Sequence, residues 1–281
     1  MPELIDLHTH SSRSDGVLSP ADLVARAAAR NVGLLALTDH DTVEGCDEAR
    51  SACQAAGIRF IAGIEVSTQW RGQAIHVVGL GVDTASPALT AQIDNIAARR
   101  RERVLAIGER LATRGRIAGH EVAATALEGG GVPTRMHLAR ALVALGYADG
   151  AQQAFDKWLN RGRPGHVPVE WPELNDAVPR LAGACRAAVL AHQHRYRLSG
   201  GALRQLAAEF AAAGGVAIEV NMAGMGPGDQ DRIAALARRQ GLAGSAGSDF
   251  HDPAVPWNPP GRFAKLAEGI SPVAERFDDA Q

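Results

Sequence analysis

Residues 4–16, "LIDLHTHSSRSDG", close a short apolar run on two histidines two apart and follow them with Asp15 and a glycine. Side chains at i and i+2 of a strand face one side, so His8 and His10 project together from the strand's C-terminal end. The pattern returns along the chain. "LLALTDHD" ends in His40 and Asp41, "FIAGIEVS" carries Glu65, "AIHVVGLG" carries His76, "AVLAH" ends at His192, and "SAGSDFH" brings Asp249 and His251. A lone histidine in an apolar run is more often a satisfied core residue than a ligand. Nine imidazoles and carboxylates at equivalent positions on six strands are not independent accidents, because each costs free energy to desolvate unless it is paired. Metal coordination removes that cost. Imidazole and carboxylate donors without a cysteine suit divalent manganese, iron, zinc or magnesium. Nine donors exceed the needs of one ion, so two or three ions sharing a carboxylate are expected, with Glu65, in the middle of the set, as the bridge. Such ions make hydroxide available near neutral pH and offset charge on phosphoryl oxygens during in-line attack, which predicts phosphoester hydrolysis. Asp41, next to His40, either orients a ligand imidazole or acts on the proton of the leaving group.

These residues need strands that end together. Short apolar runs at 3–8, 34–38, 60–64, 74–80, 187–192, 216–221 and 243–248 alternate with helical stretches, the pattern of a mainly parallel α/β sheet or barrel whose C-terminal rim carries the site. "SPADLVARAAARNVG" offers Ser19 as N-cap, Pro20 at the first helical position and Gly33 near the end, and a second helix over 44–56 stops at Gly57. The alternation breaks over 83–185, which reads as an inserted helical domain within a larger domain made of 1–82 and 186–281. In the first inserted helix, opening at "SPAL" and running to about Arg114, Ile93, Ile96, Val104, Ile107 and Leu111 share one face. Arg99, Arg103, Arg110 and Arg114 share a neighbouring face that is either solvated or a contact for a polyanion.

The chain of 281 residues, 46% apolar and 21% charged, is long enough to bury a large core. No window approaches the roughly 18 apolar residues of a membrane span. "MPELIDLHTH" lacks the basic start and apolar stretch of a secretory signal, so a cytoplasmic protein is expected. A net charge of −2 gives no global attraction to nucleic acid. Cys46, Cys53 and Cys185 match neither a disulfide framework nor a zinc finger and read as buried thiols. Trp70, Trp158, Trp171 and Trp257 read as core or rim packing, with base stacking as the functional alternative for each.

The segments "DLHTHSSRSDG", "LTDHD", "GIEVS", "HVVGLG", "AH" at 191–192 and "GSDFH" together resemble the PHP (polymerase and histidinol phosphatase) metallohydrolases. The resemblance implies a distorted seven-stranded (β/α)7 barrel with three divalent ions, Mn²⁺ first. His8, His10, Glu65 and Asp249 would hold one ion, Glu65, His76 and His192 a second, and Asp15, His40 and His251 a third. Nearly the full length, including "PTRMHLARALVALGY" and "AFDKWLNRGRPGHVP", is similar to the branch of 3',5'-nucleoside bisphosphate phosphatases, some of whose members trim RNA from the 5' end. By that resemblance Arg135, His137 and Arg163 would face the metals across a cleft and hold phosphate, types that suit it through a guanidinium fork and a protonated imidazole. Where the branch usually has "AHPGRY", this chain has "AHQHRYRL", which makes His194 either a further substrate contact or a loop residue. The implied reaction is attack of a metal-bridging hydroxide on the 3'-phosphate of a nucleoside 3',5'-bisphosphate such as pAp. Exoribonuclease action on short 5'-phosphorylated RNA and histidinol phosphate hydrolysis are the alternatives, and no protein partner is implied.

Overall fold

The computed structural model describes residues 4–129, 131–263 and 266–278. The strands are β1 (Leu4–Asp6), β2 (Val32–Leu37), β3 (Arg59–Trp70), β4 (Gln73–Leu80), β5 (Ala187–Leu190), β6 (Ala217–Met222) and β7 (Ala243–Gly247). The helices are α1 (Pro20–Ala28), α2 (Cys46–Ala56), α3 (Pro87–Arg110), α4 (Gly119–Glu128), α5 (Arg135–Ala144), α6 (Ala151–Ala154), α7 (Leu174–Ala182), α8 (Gly200–Ala212) and α9 (Pro227–Gln240). The strands form one sheet in sequential order, β1 to β7. Beyond β1 the chain turns onto β7: the Leu7 amide donates to the Ala246 carbonyl and the His10 amide to the Phe250 carbonyl, and Thr9 bridges Phe250 in parallel.

The sheet is mainly parallel, as expected, with β1–β2, β2–β3, β5–β6 and β6–β7 paired in parallel, and the exception is β4. β3 runs antiparallel to β4, and β4 antiparallel to β5. β3 also continues through Trp70 rather than stopping near 64, because Arg71 and Gly72 both take positive φ (52° and 74°), the geometry of a two-residue hairpin turn. α1 begins as expected, with the Ser19 hydroxyl accepting from the Asp22 amide. It ends earlier than Gly33: Asn31 supplies the left-handed residue at φ 59°, and Gly33 lies inside β2.

Burial follows the period of two that a strand covered on both faces requires. Leu34 and Ala36 join an inner core with Leu7, Ile61, Val78, Leu80, Val189 and Ala217. Leu35 and Leu37 face outward to Leu23, Val24 and Ala27 of α1 and Ala49 and Cys53 of α2. No helix among the described residues is long and apolar enough to cross a membrane.

The chain divides into two compact units, one of residues up to Gln92 with Trp171 onward, the other Ile93–Glu170. The inserted stretch 83–185 of the sequence reading is wider than the second unit. The smaller unit has its own core of Val104, Ile107, Leu111, Val122, Leu138, Leu142 and Trp158. Within it, Arg99, Arg103 and Arg110 donate to the carbonyls of Glu170, Val167 and Pro164, so these partly exposed guanidinium groups hold segment 164–170 along α3, while Arg114 is exposed.

Candidate metal centre

Backbone hydrogen bonds carry the sheet's ladder past the formal strand ends and fix each donor-bearing segment to the next. The Asp249 amide donates to the His8 carbonyl, the Thr38 amide to Thr9, the Asp41 amide to Glu65, the Glu65 amide to Asp39, and the Ala191 amide to His76. His76 lies opposite Ser67 in the β3–β4 register. It is near the start of its strand, not the end, and reaches the common rim because β4 runs the other way. Six non-glycine residues among the described ones take positive φ, and Asp41 (51°), His192 (28°) and Asp249 (53°) belong to this rim. Such conformations persist only where surrounding contacts over-determine them.

All nine expected donors meet. Glu65 is fully buried at the centre: Oε2 lies 3.2 Å from Nε2 of both His8 and His10 and 3.0 Å from His40 Nδ1, while Oε1 lies 2.9 Å from His76 Nδ1 and 2.8 Å from His192 Nε2. Asp249 Oδ1 is 3.5 Å from His8 and 3.3 Å from His10, and Asp15 lies 3.1 Å from His251 and 3.8 Å from His40. Three sets of donor atoms lie within 4.8 Å of one another: His8, His10, Glu65 and Asp249; His10, Asp15, His40 and His251; and His40, Glu65 and His76.

The donor set fits divalent cations. His8 and His10 present the same ring nitrogen to each other at 3.0 Å, where at most one proton can lie. His40 Nδ1 and Glu65 Oε2 are 3.0 Å apart and buried, yet neither has a hydrogen-bond partner among the described residues. Lone pairs this close that do not bond one another suit a shared third atom. The charge balance agrees. Burial opposes protonation of His8, but the Glu219, Glu65 and Asp249 carboxylates outweigh it and hold His8 well above the ordinary imidazole range. Burial likewise opposes protonation of His10, and the adjacent Asp249 and Glu65 carboxylates bring it to about 10. Burial would raise Glu65, Asp249 and Asp15, but the surrounding imidazoles hold all three well below the usual carboxylate range. Excess buried carboxylate thus draws positive charge to this rim.

Asp41 is fully buried, and its two carboxylate oxygens accept from the Ser67 amide at 2.7 Å and the Ser67 hydroxyl at 2.8 Å. It therefore fastens β3, which carries Glu65, to the turn carrying His40. His194 is half-buried beside the rim, and burial with the neighbouring Arg195 and His192 lowers it to about 4. Two residues that sequence reading missed complete the rim. Glu219 on β6 takes His8 Nδ1 at 2.6 Å with one oxygen and accepts the His192 amide with the other. Arg195 pairs with Asp249. The available signal for Glu219 was a carboxylate inside the apolar run "AIEVNM", which burial requires to be paired.

In the smaller unit, Arg135 opens α5 and lies 5.3 Å over the Phe155 ring. His137 has a local role not anticipated from sequence: its Nδ1 accepts the Thr134 amide in a capping box, which leaves the proton of a neutral ring on Nε2. Arg163 is exposed on the loop between residues 160 and 166.

A family model described as the PHP domain matches residues 6–223. The chain belongs to the PHP family. Over 277 residues, 99% of this PHP chain and 100% of the relative, it is 40% identical to a 5'-3' exoribonuclease of Haemophilus influenzae. Over 249 residues, 89% of the chain and 87% of the relative, it is 42% identical to a 3',5'-nucleoside bisphosphate phosphatase of Chromobacterium violaceum. Among solved structures, an amidohydrolase from Chromobacterium violaceum with bound sulfate and no metal superimposes with a TM-score of 0.90 at 40% identity, covering 97% of this PHP chain and 95% of its own.

Proposed function

We propose that this protein is a metal-dependent phosphoesterase that hydrolyses the 3'-phosphate of nucleoside 3',5'-bisphosphates such as pAp, giving a nucleoside 5'-monophosphate and phosphate. The observation that carries the reading is the Glu65-centred constellation, in which one buried carboxylate lies within 3.2 Å of five imidazoles. His8, His10, Glu65 and Asp249 would hold one divalent ion, Glu65, His76 and His192 a second, and Asp15, His40 and His251 a third, with Mn²⁺ the first choice. When bound, divalent ions activate water and offset phosphoryl charge. The protein's own groups fix the donors: Glu219 orients the His8 ring and the Asp41–Ser67 pair holds β3. In the hydrolysis water oxygen bonds to phosphorus, the P–O3' bond breaks, and the 3'-oxygen takes a proton.

Phosphate recognition is assigned to Arg135, His137 and Arg163, with His194 as a further contact and the insertion 83–185 as a substrate-capping domain. Two features support this. Arg135 has no hydrogen-bond partner among the described residues, and burial lowers it. Arg103 is lowered to about 10 by burial and by Arg135 and Arg100 beside it. Guanidinium groups gathered in this way call for an anion. His137 would donate from Nε2.

The second reading, a 5'-to-3' exoribonuclease on short RNA, is supported by relatives so named that are 39–40% identical over 99% of this chain. A cytoplasmic location goes with either substrate. The test offers Mn²⁺-loaded protein pAp, 5'-phosphorylated RNA and histidinol phosphate in parallel. Phosphate release from pAp is expected, mononucleotide release from RNA marks the second reading, and turnover of histidinol phosphate alone overturns both.

A further inference from the structure

The four tryptophans have different fates. Trp70, Trp158 and Trp171 are buried, and the indole N–H groups of Trp70 and Trp158 donate to Glu209 and to the Tyr147 carbonyl. Trp257 is 65% exposed and has no hydrogen bond or ring contact among the described residues. An indole left in water forgoes one of the largest burial gains available to a side chain, so its position calls for a reason.

The backbone around it is held. Its loop starts at the candidate ligand His251. The Ala254 and Val255 amides donate to the Asp252 side chain and carbonyl, the Arg30 guanidinium donates to the Pro260 carbonyl, and the Gly261 amide donates to Asp6. The neighbouring Asn258 donates through Nδ2 to the carbonyl of Asp249 at 3.0 Å. One Cα–Cα step, one asparagine side chain and one hydrogen bond separate the Trp257 Cα from a donor-bearing residue, about 11 Å at most. The chain thus holds the Trp257 backbone within reach of the metal centre and leaves the indole largely in solvent.

We infer that Trp257 is the platform on which the base of the nucleotide substrate stacks when its phosphate is at the Glu65 centre. The inference rests on the phosphoesterase reading and adds a specificity-determining residue to it. Every nucleobase has a π-face, so such a platform selects nucleotides over other phosphate esters without choosing among bases.

The test compares wild type, Trp257→Ala and Trp257→Phe, each with its bound metal and melting temperature measured, on adenosine 3',5'-bisphosphate and on ribose 3,5-bisphosphate, which lacks the base. Trp257→Ala is expected to raise KM for the nucleotide roughly 10- to 100-fold, at least ten times its effect on the baseless sugar, and Trp257→Phe to recover most of the loss. Adenosine 5'-monophosphate, titrated into Mg²⁺-loaded protein, should quench tryptophan fluorescence in wild type and not in Trp257→Phe. Equal KM changes on both substrates, or quenching that survives Trp257→Phe, would overturn the inference. If wild type hydrolysed neither bisphosphate, the proposed reaction would fail, while quenching that depended on Trp257 would still establish the platform.

Discussion

At the scale of single residues, the candidate metal centre is held by groups outside its nine donors. Glu219 holds the His8 ring and the His192 amide at once, so Glu219→Ala leaves two buried hydrogen-bonding groups unpaired and two donors loosely held. Divalent-ion affinity measured by calorimetry is expected to fall roughly 10- to 100-fold. Glu219→Gln should retain part of it, and unchanged affinity in both variants would deny the role. Arg135 offers a separate test. Arg135→Ala should raise KM for a bisphosphate about 10-fold or more by removing a charge-assisted fork, while metal content by elemental analysis stays at the wild-type value. His8 and His10 were legible from residue type and i, i+2 spacing, and His40 and Glu65 from residue type in or just after an apolar run. Glu219 and Arg195 were not, because their partners His8 and Asp249 lie 211 and 54 residues away.

Among elements, β3 and β4 decide the centre's shape. A hairpin places Glu65 and His76 on adjacent antiparallel strands, with their side chains 2.9 Å apart. Its signal, "WRG" with two residues of positive φ, lay in a stretch whose polar Ser67, Thr68 and Gln69 masked the strand. The β7–β1 contact is equally close. A Cβ added at Gly247 would stand 2.4 Å from His8 Cβ and 2.8 Å from the His8 amide. Gly247→Ala must therefore push the His8 segment beyond β1 away, and a loss of about 1–3 kcal/mol of stability in urea titration is expected, together with weaker metal binding. A variant as stable as wild type would show that the strands can separate there at no cost.

For the whole molecule, an ion held by the buried carboxylates and imidazoles at one rim would couple folding to ion binding. A ligand that binds only the folded chain adds about 4 kcal/mol of stability at a thousandfold excess over Kd, on the order of 8 °C in melting temperature. Chelation with EDTA should lower the midpoint by that order, and restoring Mn²⁺ should recover it. A midpoint indifferent to both would sink the metal reading of the Glu65 cluster.

The sequence by itself determined which side chains could coordinate, that most of them follow the strand ends of an alternating α/β chain, and that a helical stretch interrupts the alternation. Those facts are local: type, spacing and caps such as Ser19 are written within a few residues of one another. The direction of β4, the Glu219 and Arg195 contacts, the carbonyl partners of Arg99, Arg103 and Arg110, and the exposure of Trp257 were decided only by the tertiary structure. Each of these depends on which distant backbone arrives alongside, and no local period in the chain encodes that.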